Sequence, residues 1–154
     1  MQKKVSALIA VRSGSVRVKN KNIRAFSEST LLELKIKQLQ SVKEINDVVV
    51  NSNSDEMLSI AKNLGAKTVK RDDYYASNTI SMSSVFEDMA KNMDCENILY
   101  ANCTNPLVST NSYSDAIRIF LNNTSVYDSL GSCHDIKEFL YLDGKALNYD
   151  PMNQ

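Results

Sequence analysis

Glycine and proline are scarce in this chain, four and two in 154 residues, which excludes collagen-like and linker-like compositions. No apolar run approaches the ~20 residues that cross a bilayer, so no membrane span is expected. No internal period of about 20–50 residues is visible, which argues against a solenoid or a propeller. Cysteine is limited to Cys95, Cys103 and Cys133. An odd number without C-x-x-C spacing is neither a disulfide framework nor a zinc site, and reduced thiols in a cytoplasmic protein are the expectation. The sole histidine, His134, adjoins Asp135 far from any other motif and reads as a surface residue. No Ser/His/Asp or Cys/His arrangement is arguable from it.

Acid is also missing where it would balance base. Seven of the eighteen Lys and Arg residues fall in the first 27 positions, and all eighteen acids come later. A basic segment on an acidic body suggests a local anion site rather than a nucleic-acid coat. A transit peptide is also basic and acid-poor, but residues 5–11 (VSALIAV) read as a buried strand, not as an amphipathic helix. A secretory signal fails because its apolar core is short and interrupted by Arg12.

What is present is enough apolar residue, 43%, to bury one sizeable core, and residues 1–154 read as a single domain. Short apolar runs alternate with helical stripes. Residues 5–11, 47–50, 67–71 and 97–101 read as strands, the first covered on both faces. Thr30 and Glu33 form a capping-box pattern ahead of Leu32, Ile36 and Leu39. Ser54 caps a helix carrying Met57, Ala61 and Leu64, with Gly65 as its stop. Met82, Phe86, Met89 and Met93 mark a third helix. Ser112 opens a fourth, with Ala116, Ile117, Phe120 and Leu121. Residues 125–132 suggest a fifth strand, and 139–149 a hairpin with an Asp143-Gly144 turn. Such alternation predicts an α/β fold with a mainly parallel sheet and right-handed crossovers. Ligands of such sheets bind outside the carboxyl ends of the strands, so the informative loops are 12–22, 51–54, 71–80 and 102–111.

The first of these loops is the richest in chemistry. Gly14 permits unusual backbone angles, Ser13 and Ser15 add hydroxyl donors, and successive amides in such a turn form an anion cradle. Arg12, Arg17, Lys19 and Lys21 surround it with positive charge, which suits a polyphosphate. The loop is neither a P-loop nor G-x-G-x-x-G. A solvent-exposed basic turn and a nucleic-acid contact remain open on composition alone, although no aromatic interleaves residues 12–25 for base stacking.

The order of motifs goes further. Ala10-Val-Arg12-Ser-Gly14-Ser-Val16-Arg17, then Lys21-Asn22, resembles the signature loop of the acylneuraminate cytidylyltransferases, Ala-Arg-Gly-Gly-Ser-Lys-Arg-Ile-Pro-x-Lys-Asn. Residues 48–51 with Ser54-Asp55-Glu56 resemble the family's second strand and turn. Arg71 with Ala76-Ser77-Asn78-Thr79 resembles its Arg-Pro-x-x-Leu-Ala-x-Asp-x-Ser/Thr segment. Asn102-Cys103-Thr104-Asn-Pro106-Leu107 resembles its Gln-Pro-Thr-Ser-Pro-Leu-Arg loop. The match runs through about residue 122.

The resemblance implies a three-layer α/β/α, Rossmann-like fold of the nucleotide-diphospho-sugar transferase type. It implies transfer of a cytidylyl group from CTP to the anomeric hydroxyl of a 2-keto sugar acid, a sialic acid-like nonulosonate, with release of pyrophosphate. By motif position, Arg12 and Lys21 hold the triphosphate, Gly14 and Ser15 donate from the backbone, and Asn22 fixes the loop and reaches nucleotide or sugar. Arg71, Ser77 and Asn102 line the base and ribose. Magnesium is expected with CTP, but the family's Asp-x-Asp pair lies beyond these motifs and has no counterpart here, so the chain reads as truncated before that part. Residues 139–154 correspond to the start of a dimerisation arm, so a homodimer is possible. Departures include Val16 for a Lys, Lys19 for a Pro, Asn102 for a Gln, Cys103 for a Pro, Val108 for an Arg and Asn78 for an Asp. The family register leaves a nucleotide-binding module with impaired catalysis as the alternative.

Overall fold

A computed structural model describes residues 4–15, 18–77, 79–133, 138–150 and 152. Val16, Arg17, Asn78, His134 and Asp135 lie outside the described residues. Four parallel strands, β1 (Val5–Ala10), β4 (Asp47–Ser52), β5 (Lys67–Lys70) and β6 (Asn97–Tyr100), form one sheet in the order β5-β4-β1-β6. The register pairs Ile9 with Val50 on one side of β1 and Leu8 with Tyr100 on the other. Two small hairpins accompany it. One joins β2 (Ala25–Phe26) to β3 (Ser29–Thr30), and the other joins β7 (Tyr141–Leu142) to β8 (Lys145–Ala146). Asp143 and Gly144 both take positive φ in the second turn, which the Asp-Gly pair accommodates.

The strand period of two divides the core. Val5, Ala7 and Ile9 point toward α1 (Leu31–Gln40), α2 (Asp55–Asn63) and α5 (Thr110–Asn122), where they pack with Leu32, Ile36, Leu39, Met57, Ala61 and Ile117. Leu8 points the other way, into a smaller cluster with Val85 and Met89 of α4 (Met82–Lys91). Helices therefore cover both faces, giving the three-layer α/β/α arrangement. Ile36 is fully buried. Ile36→Ala is expected to lower unfolding free energy by about 2–5 kcal/mol, read from the urea midpoint at unchanged slope.

Local chemistry explains most boundaries. Thr30 accepts from the Glu33 amide, and Ser29 Oγ donates to the Glu33 carboxylate at 3.1 Å, so the box closes through Ser29 rather than through the Thr30 amide. Ser54 caps α2, and Gly65 follows that helix at φ +76.

Four expectations need correction. The cap of α5 is Ser109, which accepts from the Ser112 amide, so Ser112 sits inside the first turn. On α4 the buried stripe is Val85 and Met89, while Met82 and Phe86 are exposed. Four methionine and phenylalanine positions fit the period, but the β-branched residue wins the contact with the sheet. The stretch 71–80 is not all loop, because Asp72 caps a short helix, α3 (Asp73–Ala76), by accepting from the Tyr74 amide. Residues 125–132 form no strand. Asp128, Ser129 and Leu130 share a cavity with the outer side of β6 but take no part in the ladder, and the run holds a single β-branched residue, Val126, beside Gly131.

Candidate functional site

In the sheet order, β1 lies between β4 and β6, so the chain crosses to the other side of β1 when it enters β6. The carboxyl ends of β1 and β6 thus flank the reversal point where such sheets take ligands. A cleft of about 670 Å³ opens there, with Arg12, Ser15, Lys21 and Asn22 on one wall and Asn102, Cys103 and Thr104 on the other. A second cavity of about 340 Å³ adjoins it beneath α4 and is lined by Arg12, Arg71, Tyr75, Ser77 and Tyr100. Arg12 lines both. No carboxylate lines either one among the described residues.

The loop after β1 is shaped by its own turns. Gly14 takes φ +81, and a Cβ there would meet nothing within 4 Å. The backbone angle, not space, therefore calls for glycine. Gly14 lines neither cavity. Asn20 takes φ +54, which Asn tolerates. Its carbonyl accepts from the amides of Ile23 and Arg24 at 3.0 and 2.9 Å, closing the turn that carries Lys21 and Asn22. The Asn22 carbonyl accepts from the Leu32 amide at 2.9 Å and ties the turn to α1. Asn22 is buried, lines the cleft, and its side-chain amide has no hydrogen bond to the described residues. Lys21 lines the same wall and has no ion pair to them.

Asn53 braces the mouth, a role the sequence did not reveal. Its Oδ1 accepts from the Ser13 amide at 3.1 Å, and its Nδ2 donates to Ser13 Oγ at 3.1 Å and to Asp73 Oδ1 at 3.0 Å. One side chain thus joins the loops after β1 and β4 to α3. The Arg12 guanidinium donates to the Ala76 carbonyl and holds the other end of that helix. Ser77 follows it, exposed, with its hydroxyl 3.1 Å from that of Thr79.

Arg71 is only 5% exposed. Its Nε donates to Asn51 Oδ1 at 2.5 Å, and its Nη2 to the Asn51 carbonyl at 3.1 Å. Burial holds its pKa below the ordinary arginine value, against the opposing influence of Tyr100 and Asp88. Nη1 has no acceptor among the described residues. A buried guanidinium with donors to spare, in a cavity without carboxylates, is a place for ligand oxygen or ring-nitrogen acceptors. Across the cleft, burial pushes the Cys103 thiol up to about 12, against the influence of Lys35 and Lys21. It stays protonated near neutral pH and is no nucleophile.

The structure therefore brings Arg12, Ser15, Lys21, Asn22 and Asn102 around one cleft. Arg71 and Ser77 lie in its neighbour, so Asn102 is parted from the two residues with which its motif position grouped it. Cationic side chains reach both spaces, and the amides of Asn22 and Asn102 line the larger one, so the arrangement can hold an anion with a flat polar ring beside it.

The model of a family described as cytidylyltransferase matches residues 6–152. Among curated proteins, the chain is 28% identical over 126 residues to a pseudaminic acid cytidylyltransferase of Campylobacter jejuni, covering 78% of this chain and 54% of that one. It is 35% identical over 81 residues to the CMP-N,N'-diacetyllegionaminic acid synthase of the same species, covering 52% and 34%. The chain thus spans about half, or less, of the length of these relatives. Among solved structures, a cytidylyltransferase from Leptospira borgpetersenii superposes with TM-score 0.66 at 26% identity, covering 79% of this chain and 50% of that one. A CMP:2-keto-3-deoxy-manno-octonic acid synthetase complexed with CTP superposes with TM-score 0.69 at 11% identity, covering 79% and 49%, which is a likeness of fold.

Proposed function

Because the chain belongs to the cytidylyltransferase family, we propose that it grips CTP at the reversal point of its sheet and serves the transfer of the cytidylyl group to a nonulosonic acid. The single observation that carries this reading is the carboxylate-free pair of cavities bridged by Arg12. The larger takes the triphosphate, held by Arg12, Lys21 and Ser15. The smaller takes the cytosine ring, with Arg71 donating to its acceptors and Tyr75 and Tyr100 beside it. Asn22 and Asn102 both line the larger cleft, where the sugar acid would meet the α-phosphorus. The oxygen of its anomeric hydroxyl bonds to that phosphorus, giving up its proton to solvent, as the bond to pyrophosphate breaks. Charge then spreads over phosphate oxygens, and fixed cations lower the barrier. The names of the Campylobacter relatives support pseudaminic or legionaminic acid as the acceptor class. The free thiols support a cytoplasmic setting, and the exposed Phe139, Tyr141 and Leu142 around the β7–β8 hairpin support a homodimer.

Magnesium needs oxygen ligands, usually one or two carboxylates. Neither cavity wall supplies one, and no group of three or more His, Cys, Asp or Glu among the described residues is placed to hold a metal. The described residues do not fit the ion, and no step here passes through it. This favours a second reading, a module that binds CTP without turnover. Calorimetric titration with CTP, UTP and ATP tests the shared claim, and tightest binding of CTP is expected. Pyrophosphate release on adding the sugar acid separates the two readings. No binding of any nucleotide would contradict both.

A further inference from the structure

Lys35 stands on α1 where the helix otherwise places apolar side chains. Leu32, Ile36 and Leu39 share its stripe, and like them it is almost wholly buried, 1% exposed. A buried ammonium ordinarily requires a partner of opposite charge. None lies within ion-pair distance among the described residues. Its three donors go instead to neutral acceptors: Gln38 Oε1 at 2.5 Å, the Asn105 carbonyl at 2.8 Å and the Tyr113 hydroxyl at 2.8 Å. The Tyr113 ring adds a cation–π contact, 5.0 Å from Nζ to the centroid. Hydrogen bonding is complete while the charge remains unneutralised.

That charge sits behind a working surface. Asn105 belongs to the loop leaving β6, whose first residues, Asn102, Cys103 and Thr104, wall the larger cleft. Gln38 grips the same loop further along, donating to the carbonyls of Pro106 and Val108. The field of Lys35 reaches the wall itself, because Lys35 and Lys21 both act on the Cys103 thiol.

We propose that Lys35 is a positioning residue of the phosphate cleft, a built-in cation that fixes the 102–108 loop and biases the cleft toward highly charged anions such as nucleoside triphosphates. The proposal rests on the reading that CTP occupies this cleft. A charge buried without a counter-ion is stabilised when an anion arrives nearby, and the low dielectric behind the wall transmits its attraction better than water would. A lysine that merely stapled the loop would instead affect all ligands alike.

Affinities for CTP, CMP and cytidine separate these roles. Lys35→Met is expected to weaken CTP about tenfold, CMP less, and cytidine by no more than about twofold. Lys35→Arg should keep the order of preference of the unaltered chain. Gln38→Ala, which loosens the loop without removing charge, should weaken all three to a similar degree. Equal losses for CTP and cytidine in Lys35→Met, or no loss for either, would overturn the proposal. Should Lys35→Met fail to fold, the ¹⁵N resonance of the Lys35 ammonium in the unaltered chain, assigned through Lys35→Arg, provides the readout. It should move as inorganic tripolyphosphate is added, and a resonance that stays fixed while tripolyphosphate binds would overturn the proposal equally. An unaltered chain that binds neither CTP nor tripolyphosphate would defeat the functional reading itself, a result visible before any variant is made.

Discussion

Lys21→Ala is expected to weaken CTP binding about a hundredfold, the upper range for losing a charge-assisted contact to phosphate. Any pyrophosphate release should fall by at least as much, because charge on the phosphate oxygens grows toward the transition state. The unfolding midpoint should hardly move. Lys21 lines the cleft on a turn fixed by the Asn20 and Asn22 carbonyls, not by its own side chain. It has no ion pair among the described residues, so its removal leaves no buried charge alone. Titration calorimetry beside urea denaturation measures both. A large drop in stability with CTP affinity intact would mean that Lys21 is a structural cation.

Arg71→Ala should behave in the opposite way, with loss of stability and of binding together. The guanidinium fills space beneath α4, and its Nη2 lies 3.6 Å from Met89 Sδ. Its loss opens a cavity and strips Asn51 Oδ1, in a residue only 1% exposed, of its donor. An orphaned buried acceptor and a cavity together cost roughly 3 kcal/mol. Cytidine binding should be lost as well, since the spare Nη1 donor goes with the side chain. Arg71→Lys keeps the charge but not the fork, and should recover part of the stability while cytidine binding stays weak. Unfolding curves and cytidine titrations on both variants check this. Full cytidine affinity in Arg71→Ala would place the base elsewhere.

The sheet was legible because 5–11, 47–50 and 97–101 are short apolar runs set between helical stripes, while 67–71, with Val69 as its one apolar residue, was legible from its place between two helical patterns. Caps were legible where a hydroxyl directly precedes the periodic residues, as at Ser54. The reading failed at α5, where Ser109 and Ser112 are both plausible caps and only the backbone decides. It also failed at 125–132, where three apolar residues, Val126, Tyr127 and Leu130, without period-two spacing or a ladder partner do not make a strand. Lys35 was legible in principle. The stripe Leu32, Ile36 and Leu39 puts position 35 on the buried face, and a lysine there breaks the pattern. Asn53 carried no such signal, because its role arises from three segments that meet only in the folded chain. Motif order located Arg12, Lys21, Asn22, Arg71 and Asn102 near the strand ends, but which cavity each one lines depends on the side of β1 from which it approaches.

The most direct measurement is a crystal structure of this chain with CTP bound. The account predicts the triphosphate between Arg12 and Lys21 beside Ser15, and the cytosine ring against Arg71 under α4. An ordered CTP seated anywhere else, with Lys21 and Arg71 making no contact to it, would contradict the account.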